Sequence, residues 1–322
     1  MKLPWALFWS AVLASSGLAE PAEGAEGKLK GYMFGDYYYI ASGAREKQNG
    51  FQFRRIYLTC DLKWDDRFSG RLRLEARDAG FGKKDKMVPF VKHAYLRSRK
   101  NDRALYFGLA GTPTWNVSER VWGYRSIQKT VMDLHKIGSS ADLGVAFKGK
   151  LDEGGKVHAQ VMLGNGSGQS PEVDNGKKVY VLLHLKPTGT FEATAYVDRE
   201  GKAGGKDRIT YAGFVGMSGK IFHGGIEGFV RTSKDPGGNV KVSGISAFGA
   251  GKVRPGAKLF GRFDIYDPSD QAGDDREFLI IGGVDLMPAK HIHVMPNVVA
   301  TSFQASGVDA EVIPRVTVYY KF

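Results

Sequence analysis

The sequence has a single cysteine, Cys60, so no internal disulfide can form. Beyond its first twenty residues there is no run of 18 apolar residues. That excludes a chain crossing a membrane on helices, each of which needs about 20. No nucleophile motif is recognisable, so no catalysis is expected. The stretch GNGSGQ from Gly164 is rich in glycine. It lacks the Lys-Ser/Thr ending and the following helix of a phosphate-cradling loop and reads as a flexible connection. His291 and His293 share a strand face without a third ligand nearby. They read as a solvated pair, and neither a metal nor a cofactor is expected. Acidic residues are the scarcer charge, 34 against 46 basic, giving +12. Such a balance expects anionic partners: nucleic acid, lipid head groups or anionic solutes.

The amino terminus has the form of a secretory leader. Lys2 is followed by Leu3 to Ala14, apolar apart from Pro4 and Ser10. Gly17 and Ala19 then supply the small residues that a signal peptidase needs. Residues 1–19 are expected to be removed, with Ala22 and Ala25 as other cut sites and a retained membrane anchor as the alternative. Losing Lys2 leaves a charge of about +11. For an exported chain, nucleic acid is set aside as a partner.

What the chain does have is glycine and alternation. Glycine is 43 of 322 residues, roughly 13% against a usual ~7%. Period-2 runs continue from Lys30–Ile40 to Ala310–Phe322, about sixteen in all. Their lengths suit tilted strands crossing a bilayer. Connections alternate long and short, with Ala41–Gly50 long, Asp65–Phe68 short, and Thr112–Ser140 the longest. Short periplasmic turns and long extracellular loops produce that alternation. The expected fold is therefore all-β: residues 20–322 as one transmembrane antiparallel β-barrel in the bacterial outer membrane.

The last strand shows the faces. Val312, Pro314, Val316, Val318, Tyr320 and Phe322 alternate with Glu311, Ile313, Arg315, Thr317, Tyr319 and Lys321. The apolar set should face lipid, because a charge at the bilayer midplane costs about 2–4 kcal/mol. By the same rule Cys60, in line with Ile56, Leu58 and Leu62, is a lipid-facing small hydrophobe. Arg55, Arg71, Arg73, Arg77, Arg97, Arg99 and Arg262 then face the lumen and line a pore. The first strand is ambiguous, since either face turns Asp36 or several glycines to lipid. A barrel of about sixteen strands leaves an aqueous channel. Stacked arginines make a low-barrier track for anions. The other reading is that Asp61, Glu75 and Asp264 neutralise them and the pore is non-selective.

Residues 112–140 carry two tryptophans, which argues for order. Ser118 to Asp133 could form a short helix capped by Ser118. The loop after the fifth strand of general porins folds into the barrel. By that resemblance Trp115, Glu119, Arg120, Trp122, Tyr124, Arg125 and Lys129 are candidates for a constriction. A loop packed over the outer mouth is the alternative. The carboxy-terminal Phe322 resembles the signal that the outer-membrane assembly machinery reads.

The stretch GFQFRRIYLTCDLKWDDRFSGRLRLEARD, Gly50 to Asp78, resembles the phosphate-selective porin O/P family, as do VKHAYLRSR, Val91 to Arg99, and the final YYKF. The resemblance implies a homotrimer of sixteen-stranded barrels passing anions along an arginine ladder to a lysine-rich constriction. Arg71, Arg73, Arg77, Arg97 and Arg99 match the ladder. The lysine cluster has no counterpart beyond Lys129 and Lys136. The expected function is passive diffusion of small hydrophilic solutes with anion preference. A structural or adhesive barrel closed by its loops is the alternative.

Overall fold

The computed structural model describes residues 24–78, 80, 86–234 and 238–322. The expected leader, residues 1–19, lies outside them. Sixteen strands form one closed antiparallel barrel in which each strand pairs with its sequence neighbours and the first pairs with the last. They are β1 Glu26–Tyr39, β2 Asn49–Lys63, β3 Phe68–Arg77, β4 Phe90–Lys100, β5 Arg103–Gly111, β6 Ala141–Lys150, β7 Val157–Gly164 and β8 Lys178–Leu185. There follow β9 Phe191–Glu200, β10 Arg208–Ser218, β11 Phe222–Ser233, β12 Val240–Arg254, β13 Ala257–Asp267, β14 Glu277–Ala289, β15 Ile292–Phe303 and β16 Glu311–Lys321. Among the described residues no helix is long and apolar enough to cross a membrane.

Long and short connections alternate as the sequence implied, the shortest being 101–102, 255–256 and 290–291. All short turns and the start of β1 therefore lie at one end of the barrel, and the long loops at the other. The outer face is apolar, as on β8, where Val179, Val181, Leu183 and Leu185 point out while Lys178, Tyr180, Leu182 and His184 point in. On β1 the ambiguity resolves toward an inward Asp36, 4% exposed, with Gly31 and Gly35 on the outer face.

The seam between β1 and β16 closes on Phe322. Gly31 and Phe322 exchange both backbone hydrogen bonds, at 2.8 and 3.0 Å. A Cβ on Gly31 would come within 2.4 Å of the Phe322 ring, so this position must be glycine for the ring to lie there.

Among the described residues four pairings slip by one residue, and in two of them the extra residue is a cation. Between β1 and β2 the register slips at Phe34/Gly35, leaving Arg54 unpaired. Between β3 and β4 it slips at Arg73/Leu74, leaving Lys92 unpaired. An unpaired residue lets two consecutive side chains point the same way. Arg54 and Arg55 both face inward, and so do Lys92 and His93, while Phe53, Ile56, Val91 and Ala94 face outward.

Residues 112–140 fold into the barrel. They contain two short helices, α1 Asn116–Trp122 and α2 Val131–Leu134. The single Ser118-capped helix expected from sequence is corrected. The cap position is Trp115, Ser118 lies within the helix, and Gly123 ends it in the left-handed region at φ 71°. Trp122, Ile127, Val131 and Met132 are fully buried against inward-facing Phe214, Phe229, Phe248 and Phe260. The half of the barrel from β6 to β15 is thus lined at mid-height by apolar side chains that seat the loop.

Candidate functional site

The remaining lumen wall, β1 to β5 with β16, is polar and cationic. Paired residues across β2, β3 and β4 place Arg97 beside Ser69, Arg71 beside Asp61 and Tyr95, Arg73 beside Thr59 and His93, and Arg77 beside Arg55. At about 3.3 Å per residue, successive inward side chains are about 7 Å apart, so cations recur along the wall at that spacing.

Their partners differ. Asp61 accepts from both Arg71 and Lys30 at 2.5 Å. Glu75, 1% exposed, sits 3.3 Å from Arg55 and 3.2 Å from Lys92. Each carboxylate thus holds two cations. Arg73 donates to Thr59 Oγ1 and Arg97 to Ser69 Oγ, each at 2.8 Å. Neither forms an ion pair among the described residues. Pairing with acids therefore leaves the wall positive. Arg77 lies over the Phe90 ring at 5.4 Å, and Arg99 donates to the carbonyl of Asn101 at the short-turn end. These two stand at opposite ends of the wall. Arg262, on β13, is not on it. It is 4% exposed, paired with Asp264, and donates to the Lys129 carbonyl beneath the loop.

The loop residues separate into groups. Trp115, Trp122 and Tyr124 are seated in the apolar half, where Tyr124 stacks on Phe260 at 4.4 Å and its hydroxyl donates to Asp285 at 3.3 Å. Arg120 points the other way, to Glu192 on β9. Glu119, Arg125 and Lys129 face the cationic wall. Arg125 bridges Glu119 at 3.0 Å and Asp133 at 2.9 Å, and Lys129 lies 3.5 Å from Asp133. Glu119 and Arg125 are within electrostatic reach of Tyr32, with Arg55 and Arg73 beside them. On this loop, burial pushes the Glu119 carboxyl up, with Asp133 adding to the shift and Arg125 opposing it. Burial pushes the Lys129 amine down.

Arg54 ties loop to wall. Its guanidinium donates to the carbonyls of Ser126 at 2.8 Å and Ile127 at 3.1 Å. It also lies 3.4 Å from Asp36, which accepts from Thr317 at 2.5 Å. Arg54, Lys92 and Asp36 were not among the residues picked from the sequence. The signal was present: the outer-face residues run Phe51, Phe53 and then Ile56, Leu58, and again Val91 and then Ala94, Leu96. That change of parity marks a bulge.

Two spaces lie on the short-turn side of the inserted loop. One, of about 330 Å³ at the short-turn end, is bordered by Arg71, Tyr95 and Arg97. The other, of about 220 Å³, lies between the loop and β1, β14, β15 and β16, bordered by Tyr32, Arg125, His293 and Tyr319. His293 is bonded to Asp285 at 2.8 Å, which gives one member of the His291/His293 pair a partner.

No protein-family model matches this chain, and no curated protein matches it by sequence. Solved structures do. The outer membrane channel DcaP of Acinetobacter baumannii superposes with a TM-score of 0.70 at 14% identity, covering 94% of this chain and 98% of that one. An anion-selective porin from Comamonas acidovorans gives 0.67 at 13%, covering 92% and 100%. The trimer form of in-vitro folded OmpT, an outer membrane protein of Vibrio cholerae, gives 0.63 at 15%, covering 93% and 100%. At such identities the likeness is one of fold, and the fold this chain shares is the closed sixteen-stranded antiparallel barrel of outer-membrane porins.

Proposed function

We infer that the chain is an outer-membrane porin. It lets small hydrophilic solutes diffuse down their gradients and favours anions. The observation that carries this reading is the wall of β1 to β4. Its inward arginines and lysines outnumber the carboxylates beside them, and it faces a loop folded into the same lumen. Cations held along a wetted wall lower the barrier for an anion without binding it so tightly that it cannot leave. No reacting group is required, so no catalysis is assigned. The long loops would face outward and the short turns the periplasm, with export through the leader 1–19. The fold's likeness to a trimeric outer membrane protein supports a homotrimer. The family resemblance of Gly50 to Asp78 supports anion passage. The sparse lysines of the loop keep phosphate specificity out of the assignment.

The test is single-channel recording of the refolded mature chain in planar bilayers under a tenfold KCl gradient. Steady conductance with the reversal potential displaced toward chloride is expected, and Arg71→Ala with Arg73→Ala should reduce that displacement. Conductance without anion preference would remove the arginine wall as a selectivity device. Silence from demonstrably folded protein would sink the porin and favour a plugged structural barrel.

A further inference from the structure

The cationic wall also carries a band of aromatic rings, which inorganic anions do not need. Tyr319 of β16 lies 5.8 Å from Tyr32 of β1, and Tyr32 lies 4.6 Å from Tyr57 of β2. Further round, Tyr95 of β4 lies 5.3 Å from Tyr106 of β5. Between the two groups stand the arginines of β2 and β3. Arg55 and Arg73 lie over the Tyr57 ring at 5.7 and 5.5 Å, and Arg71 lies over Tyr95 at 6.0 Å. Tyr57 is buried behind its two arginines, and Arg55 also donates to its hydroxyl at 2.9 Å. Tyr32, Tyr95, Tyr106 and Tyr319 keep part of their surface open to the lumen.

A bare anion interacts with the guanidinium groups and gains nothing from the phenol faces. A carboxylate attached to a flat ring gains from both. Its charge meets an arginine while its ring lies against a tyrosine or a guanidinium plane. Both spaces on the short-turn side set an arginine beside a tyrosine of the band, Arg71 with Tyr95 in one and Arg125 of the loop with Tyr32 and Tyr319 in the other. Building on the porin reading, we propose that this wall is a track for small aromatic carboxylates, which it selects over aliphatic carboxylates of equal charge and size.

The test uses the mature protein in planar bilayers in symmetrical KCl. Benzoate, cyclohexanecarboxylate and acetate are added in turn, and the concentration of each that halves the current is read. Benzoate is expected to act at a concentration about tenfold below cyclohexanecarboxylate, the difference that ring stacking at one or two sites supplies. Tyr32→Leu with Tyr95→Leu should bring the two concentrations together, and Tyr32→Phe with Tyr95→Phe should keep them apart. Equal potency of benzoate and cyclohexanecarboxylate on a conducting wild-type channel overturns the track and leaves the porin standing. A folded protein with no KCl current overturns the porin reading and the track with it. If the leucine variant does not fold, the wild-type ratio decides alone.

Discussion

Replacing Arg54 with alanine should loosen the tip of the inserted loop without releasing the loop. The guanidinium makes two hydrogen bonds to loop carbonyls and stands beside Asp36, whose side chain is fully enclosed. Hydrogen bonds from a charged donor are worth about 1.5–3 kcal/mol each. Removing one partner of a buried ion pair costs about 3–5 kcal/mol, part of it for the charge left behind. Here Arg315, 4.0 Å from Asp36, softens that penalty, so a loss of about 3–5 kcal/mol is the reasonable total. Against it stands the apolar seating of Trp122, Ile127, Val131 and Met132, all fully buried. At about 1.5–3 kcal/mol each, that seating contributes roughly 6–12 kcal/mol. The seat outweighs the lost tie, so helices α1 and α2 stay inside while residues 124–129 gain freedom. The open-channel current of Arg54→Ala protein in planar bilayers should be several times noisier than that of wild type. Adding Asp36→Asn, which removes the orphaned charge, should recover part of the lost stability. If the noise matches wild type, Arg54 does not hold the loop.

Trp122→Ala attacks the seat itself; it should cost about 3–5 kcal/mol and raise the mean conductance in bilayer recordings as the loop shifts. Lowering the pH from 7.5 to 5 should increase chloride preference. The carboxyl of Glu119 is raised, so it takes up a proton before an ordinary carboxylate does, and Arg125 loses part of its counter-charge. Reversal potentials should show this drift in wild type and a smaller one in Glu119→Gln, where the buried carboxyl of Glu227 still takes up a proton. Gly31→Ala forces the Phe322 ring out of the seam and should slow refolding into detergent, read as a smaller heat-modifiable fraction.

Much of the barrel was legible because a closed sheet repeats a simple rule. Each strand alternates, each pairs with the next, and turn length reports which end it lies at. The inner apolar seat was not legible. Phe214, Phe229, Phe248 and Phe260 hold inward-facing positions, where a wet lumen would call for polar groups. Their purpose appears only once Trp122 is seen at 5.4 Å from Phe248 and edge-on to Phe260. The candidate loop residues were chosen as one set on the strength of a single connection. Its turns send Glu119, Arg125 and Lys129 toward the cationic wall, Trp115, Trp122 and Tyr124 into the seat, and Arg120 to Glu192.

The two bulges explain why this wall holds more positive charge than strict alternation allows. With regular pairing, Arg54 and Lys92 would point at lipid, where each would cost about 2–4 kcal/mol near the midplane. One extra residue in β2 and one in β4 turn both inward on either side of β3, around the same carboxylate-bearing strand. Glu75 is then shared by Arg55 and Lys92, and Asp36 by Arg54 and Arg315. Charges are clustered at the height where the loop meets the wall, and each buried acid there is matched by more than one base. Glu75→Gln should therefore destabilise the barrel by about 3–5 kcal/mol, because two cations lose one buried counter-charge. In a variant that still folds, it should also move the reversal potential further toward chloride. A shift toward potassium would mean that Glu75 does not balance the wall, and that the positive charge at the constriction comes from the loop instead.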